Sequence, residues 1–138
     1  MLEPWLAGVL DFNGTIGIRL GSRQMQPYIA VYSRRSDYLD DLREVWPDFS
    51  VPIFVSRNLY MSQIVSIQGT LKILQSTQPH LNHLHDVSKI VIEFCESRLE
   101  HPNEKYSIHE LQLARDIVEA TSRPSAVVRR LEVLKRWA

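Results

Sequence analysis

The hydrophobic and polar positions of this chain divide it into alternating helical and extended segments. Residues 4–12 form a compact apolar run that predicts a helix, with Pro4 near the first turn, where its missing N–H costs little. Gly14 follows, as a helix stop would. Residues 15–20 set Thr15, Gly17 and Arg19 against Ile16, Ile18 and Leu20, the two-residue alternation of a strand. Residues 27–33 read as a second strand, and the turn-rich connector from Gly21 to Gln26 makes the pair a hairpin.

Ser36 is a candidate cap for a helix to about Trp46. It places Asp37 in the first turn, sets Leu39, Leu42 and Val45 or Trp46 on one face, and stops at Pro47. Residues 51–57 and 60–67 predict a second hairpin around Arg57-Asn58, with Pro52 marking an edge strand or a strand start. Helices are expected from Thr70 to Ser76 and over 86–100. Another begins after Ser107, where Ser107 and Glu110 make a capping-box pattern, and a last one runs from Pro124 to Trp137. The order αββαββα, followed by further helices, is not a βαβ alternation. It predicts an α+β fold with a mostly antiparallel sheet, in one domain spanning 1–138.

Composition adds little until charge is mapped along the chain. The 138 residues are 44% hydrophobic, no apolar run reaches the ~20 residues that span a bilayer, and the N-terminus shows no secretory pattern. Cys95 is the single cysteine, so no internal disulfide forms, and a reducing, intracellular compartment is expected. Sixteen basic and sixteen acidic residues cancel, which is unusual for a nucleic-acid binder. From Gly14 to Arg35, however, Arg19, Arg23, Arg34 and Arg35 occur without an acid. From Phe49 to His85, Arg57 and Lys72 again occur without one. All four predicted strands fall within these two segments, so one acid-free backbone-binding face is compatible with a neutral protein.

The run Trp5-Leu6-Ala7-Gly8-Val9-Leu10-Asp11-Phe12-Asn13-Gly14 resembles the signature motif of the LAGLIDADG homing endonucleases, single-motif type from group I introns. Gln78-Pro79-His80-Leu81 followed by Ser88-Lys89-Ile90-Val91-Ile92 resembles that family's Pro-x-Leu segment and the helix after it, and Pro124 to Leu131 resembles its final helix. The resemblance implies a saddle-shaped antiparallel sheet lying in the major groove of double-stranded DNA. It implies a homodimer whose two motif helices pack side by side through Leu6, Ala7, Gly8 and Leu10, and Mg2+-dependent phosphodiester hydrolysis. Nucleic-acid contacts are expected from Thr15, Arg19, Tyr28, Tyr32, Arg34, Arg57, Gln63 and Arg123. Gln63 is chosen from a strand whose two faces look equally apolar.

Three positions depart from the family's chemistry. Asn13 stands where the family keeps the acidic metal ligand, and its amide brings a ligating oxygen without negative charge. Ser33, or Arg34 if the register slips, stands in place of a glutamine at the end of the second strand. Leu84, between His83 and His85, stands in place of a lysine five residues after the conserved proline. Phe12 also replaces a small residue. Asp11 is expected to be structural, through local hydrogen bonding at the helix end. The histidines His80, His83 and His85 read as a solvated loop rather than a metal cluster. The basic residues of the last helix read as a solvated face.

Three functional readings follow. The first is a homodimeric double-stranded-DNA-binding protein deficient in cleavage, with no cofactor beyond weak metal binding at Asn13. The second is an active endonuclease using Mg2+. The third is a scaffold recruited as a structural or RNA-binding protein in a ribonucleoprotein. A membrane partner is not expected.

Overall fold

The computed structural model describes residues 3–21 and 23–137. Helix α1 (Glu3–Asn13) runs directly into strand β1 (Gly14–Leu20), followed by β2 (Met25–Ser33), helix α2 (Ser36–Val45), β3 (Ile53–Ser56), β4 (Leu59–Ile64), α3 (Ile67–Thr77), α4 (His85–Glu100), α5 (Ile108–Thr121) and α6 (Pro124–Leu134). The sheet is antiparallel throughout, in the order β1-β2-β4-β3. The predicted α+β order is therefore the observed one, and β3, entered just after Pro52, is an edge strand as expected.

The helices cover one face of the sheet. Ile16, Ile18, Ile29, Val31 and Ile64 point into the core beside Leu6 and Leu10 of α1, Leu39 and Leu42 of α2, and Phe94 and Ile117 of α4 and α5. Burying each such aliphatic side chain stabilises the fold by about 1.5–3 kcal/mol. Among the described residues, no helix is laid across the other face, which carries Thr15, Gly17, Arg19, Tyr28, Tyr32, Met61 and Gln63; Arg130 and Val133 of α6 reach only its β1 edge beside Arg19 and Tyr28.

Gly14 does not stop α1 by a left-handed turn, since no described glycine has positive φ. It is glycine because a Cβ there would lie 2.8 Å from the Leu10 Cα and carbonyl oxygen. Arg35, not Ser36, is the residue before α2, with no side-chain cap. Helix α3 begins three residues before the predicted Thr70, because the Ser66 hydroxyl accepts the Gly69 N–H at 3.0 Å, which also ends β4 before residue 67. The Ser107–Glu110 capping box forms as predicted. In it, Glu110 also receives Arg98 at 3.2 Å and the Ser97 hydroxyl at 2.9 Å. Arg98 lies over Tyr106, whose hydroxyl accepts the Met25 N–H at 2.7 Å, joining the helical half to the start of β2.

Candidate nucleic-acid interface

The uncovered sheet face is built by strand register. Gly17 pairs with Tyr28, Thr15 with Ala30, Ala30 with Gln63 and Tyr32 with Met61. Directly opposed residues in an antiparallel pair share a face. Pairing with β2 therefore settles which set on β4 is outward: Met61 and Gln63 share the open face, whereas Ser62 and Ile64 are buried on the helix side. No Asp or Glu occurs in any of the four strands.

Three of the expected contact residues form one cluster. The Tyr28 ring lies flat over Gly17, where an added Cβ would come within 3.0 Å of it. The Arg19 guanidinium stands 4.7 Å from the Tyr28 ring centroid, and its Nη2 donates to Gln63 Oε1 at 2.5 Å. Thr15 is exposed and Tyr32 half-buried on the same face, while Ala30, of the same parity, is fully covered. Arg57 is exposed at the β3–β4 turn, where it and Asn58 both have positive φ, 25° and 62°. This two-residue turn matches the twist of the strands. Arg34 is exposed just past β2, and Arg123 is exposed immediately before α6. Of the basic residues on α6, Arg130 is tied inward: it donates to the Ile18 carbonyl of β1 and to the Ser122 hydroxyl.

Asn13 and Ser33 converge. With Arg35, Asp37, Tyr38 and Asp41 they line a cavity of about 380 Å³ beside the end of β2. Arg35 donates to both carboxylate oxygens of Asp37, at 3.1 and 2.5 Å. That hydrogen bond, more than the charge itself, holds the Asp37 carboxyl below its ordinary range. The α2 residues were missed in the sequence, although Asp37 and Asp41 are four apart and so share a helix face. Leu84 does not join the cavity; its side chain packs against the core. Its backbone N–H and that of Asn82 are instead accepted by Asp11, at 3.1 and 2.7 Å, so Asp11 is structural, but through a loop 73 and 71 residues away and not through the local bonding expected. His85 contacts Gln78 Nε2 at 2.9 Å, while His80 and His83 are exposed.

This donor set does not fit a divalent hard cation. Asn13 and Ser33 are neutral and Asp37 is engaged by Arg35, so Asp41 brings the one uncommitted carboxylate. No group of three His, Cys, Asp or Glu suited to a metal occurs among the described residues.

The interface expected on α1 needs correction. Leu6, Ala7 and Leu10 are 0% exposed within the single chain, because α1 turns them onto its own sheet and helices. The free side of the helix carries Trp5, Gly8 and Phe12. A Cβ on Gly8 would meet nothing within 4 Å, and Phe12 is 87% exposed. Trp5 stacks on Trp46 of the segment after α2, with ring centroids 5.9 Å apart.

Solved structures share this architecture from end to end. The homing endonuclease I-CvuI, solved with DNA that was not cleaved in the presence of magnesium, superposes with a TM-score of 0.78 at 19% identity, over 98% of this chain and 93% of that one. I-TnaI, another homing endonuclease, gives 0.75 at 18%, over 97% and 98%. The chain has the LAGLIDADG homing endonuclease fold. The LAGLIDADG meganuclease I-AabMI, bound to uncleaved DNA, matches 94% of this chain with 49% of its own (TM-score 0.71, 13% identity), so one LAGLIDADG unit here corresponds to about half of that longer chain. No protein-family model and no curated protein sequence matches. Among the described residues, no helix is long and apolar enough to cross a membrane.

Proposed function

We propose that this chain binds double-stranded DNA as a homodimer through the open face of its sheet, and that as written it does not cleave. The observation that carries the reading is the acid-free, uncovered sheet presenting Arg19, Tyr28, Tyr32 and Gln63 on one surface. An arginine on a surface without carboxylates attracts a phosphate backbone even on a neutral protein, and outward strand side chains reach base edges in a major groove. Binding of DNA by solved proteins of the same fold, I-CvuI among them, supports it.

The reading of lost cleavage rests on Asn13. Hydrolysis assisted by a metal needs negative oxygens to hold the cation against phosphate repulsion. Here the amide and the Ser33 hydroxyl line the cavity, and the Arg35–Asp37 pair beside them is internally neutral. Asp41 is the one carboxylate of the lining not paired with Arg35, and dimerisation would bring two copies of this set together without adding an acid at residue 13. Two helices meeting through α1 would use Gly8 and Phe12, the accessible residues of that face.

The test is a gel-shift with a duplex pool alongside a plasmid-nicking assay in magnesium or manganese. Retained duplex without nicking is the expected result, and Asn13→Asp is expected to introduce metal-dependent nicking. Nicking by the unaltered chain that EDTA abolishes would overturn the inactive reading. Copurification with RNA in preference to duplex DNA would overturn the choice of partner.

A further inference from the structure

We infer that Arg19 reads a guanine in the bound duplex, with Gln63 and Tyr28 acting as positioning residues. The inference rests on the duplex-binding reading above. It concerns what one side chain of the sheet selects.

An exposed arginine usually samples many rotamers and meets phosphates from several directions. Arg19 is held from two sides. Gln63, two strands away in the sheet order, accepts one N–H at 2.5 Å, and the Tyr28 ring supports the guanidinium at 4.7 Å. Tyr28 can lie low because residue 17 is glycine, so the ring is part of the sheet floor. Gln26, the register partner of Arg19, is drawn away by its own bond to the Val65 carbonyl at 2.7 Å and does not compete. Among the described residues, no carboxylate forms an ion pair with Arg19. The guanidinium is therefore oriented but not neutralised.

A guanidinium carries five N–H donors in a fixed fork. One is spent on Gln63, and a parallel pair remains. Guanine presents two adjacent acceptors, O6 and N7, in the major groove. Adenine sets an acceptor beside a donor, thymine a single acceptor beside a methyl group, and cytosine presents a donor, so among the bases the fork matches guanine alone. Accepting from Arg19 uses one of the two lone pairs of the Gln63 amide oxygen and ties that side chain to the guanidinium it positions. Arg19 lies six residues along β1 from Asn13, about 20 Å at strand rise. The guanine is therefore placed roughly six base pairs from those lying under Asn13.

The experiment is selection of a randomised duplex library by the full chain and by Arg19→Ala, Arg19→Lys and Gln63→Ala, with sequencing and with affinity measured across a salt series. The unaltered chain is expected to enrich a motif with one guanine column per half-site. Arg19→Ala and Arg19→Lys should flatten that column, reducing discrimination by about 5- to 150-fold while the other columns persist. The lysine variant keeps the charge, so its salt dependence should match the unaltered chain. Gln63→Ala should weaken the same column in part. A motif in which no column responds to Arg19, or a uniform loss of affinity with the salt slope reduced by about one, would make Arg19 a phosphate contact and overturn the inference. Failure of the unaltered chain to retain any duplex would instead overturn the duplex-binding reading.

Discussion

The Asp11 carboxylate accepts the Leu84 N–H at 3.1 Å across 73 residues of chain, while its second oxygen accepts the Asn82 N–H at 2.7 Å. Leu84 precedes α4 and offers no side-chain cap, and the Asp11 bonds at the end of α1 fix the loop that leads into that helix. The end of α1 and the loop before α4, far apart in the chain, are locked by one side chain. Asp11→Ala is expected to destabilise the fold by about 1–2 kcal/mol, the value of charge-assisted bonds at a partly exposed site. It should also speed amide exchange selectively at Asn82 and Leu84. Unchanged exchange at both would show that the loop is held by other contacts.

Gly17 is required by a neighbour, not by its own backbone. Gly17→Ala sets a Cβ 3.0 Å from the half-buried Tyr28 ring, which must shift by a few tenths of an ångström to admit it. The expected cost is about 1 kcal/mol in denaturant unfolding. The larger consequence is loss of the flat support under Arg19, seen as a shift of the Tyr28 ring resonances and weaker discrimination at the guanine column. Gly17→Ala with unaltered ring resonances would show that the ring does not depend on the bare backbone.

The buried Arg98–Glu110 pair sets an acid limit on stability. Burial raises the Glu110 carboxyl, but the Ser107 N–H, the Ser97 hydroxyl and Arg98 together outweigh it and hold the pKa below its ordinary 4.5. A carboxyl whose folded pKa is depressed adds stability above its unfolded pKa. That stability is lost as pH falls from about 4.5 through the folded value. Glu110→Gln is expected to cost about 2–4 kcal/mol at pH 7, where Arg98 is left buried without its partner. The difference from the unaltered chain should narrow progressively in acid. A gap that stays constant from pH 7 down to pH 3 would assign the effect to packing alone.

Phe12 separates the stability of the chain from its assembly. At 87% exposure it contributes little to the folded monomer. Phe12→Lys is therefore expected to change the melting temperature little, helped by a cation near a helix C-terminus. In a pair joined through α1, the same change sets two like charges near the two-fold axis. The mass measured by light scattering should fall from dimer to monomer. An unaltered chain that is already monomeric would refute the homodimer.

The order of elements, the antiparallel class, the edge position of β3 and the capping of α5 could all be read from the chain. Each depends on neighbours in sequence: alternation along a strand, a serine three residues before a glutamate, a proline before a short apolar run. The position of Asn13 at the end of the motif helix could be read in the same way. What could not be read depends on which side of an element meets the rest of the molecule. Leu6, Ala7 and Leu10 are apolar whether they face a partner or the chain's own core, and only packing turned them inward. The two faces of β4 look alike until pairing with β2 sets the register. Gly14 looks like a helix stop until Leu10 is seen against it, and Arg19, Tyr28 and Gln63 become one cluster only when three strands lie side by side. Local sequence determined what each segment is, because propensity and periodicity act over a few residues. Tertiary structure decided what each side chain touches, because those contacts join segments tens of residues apart.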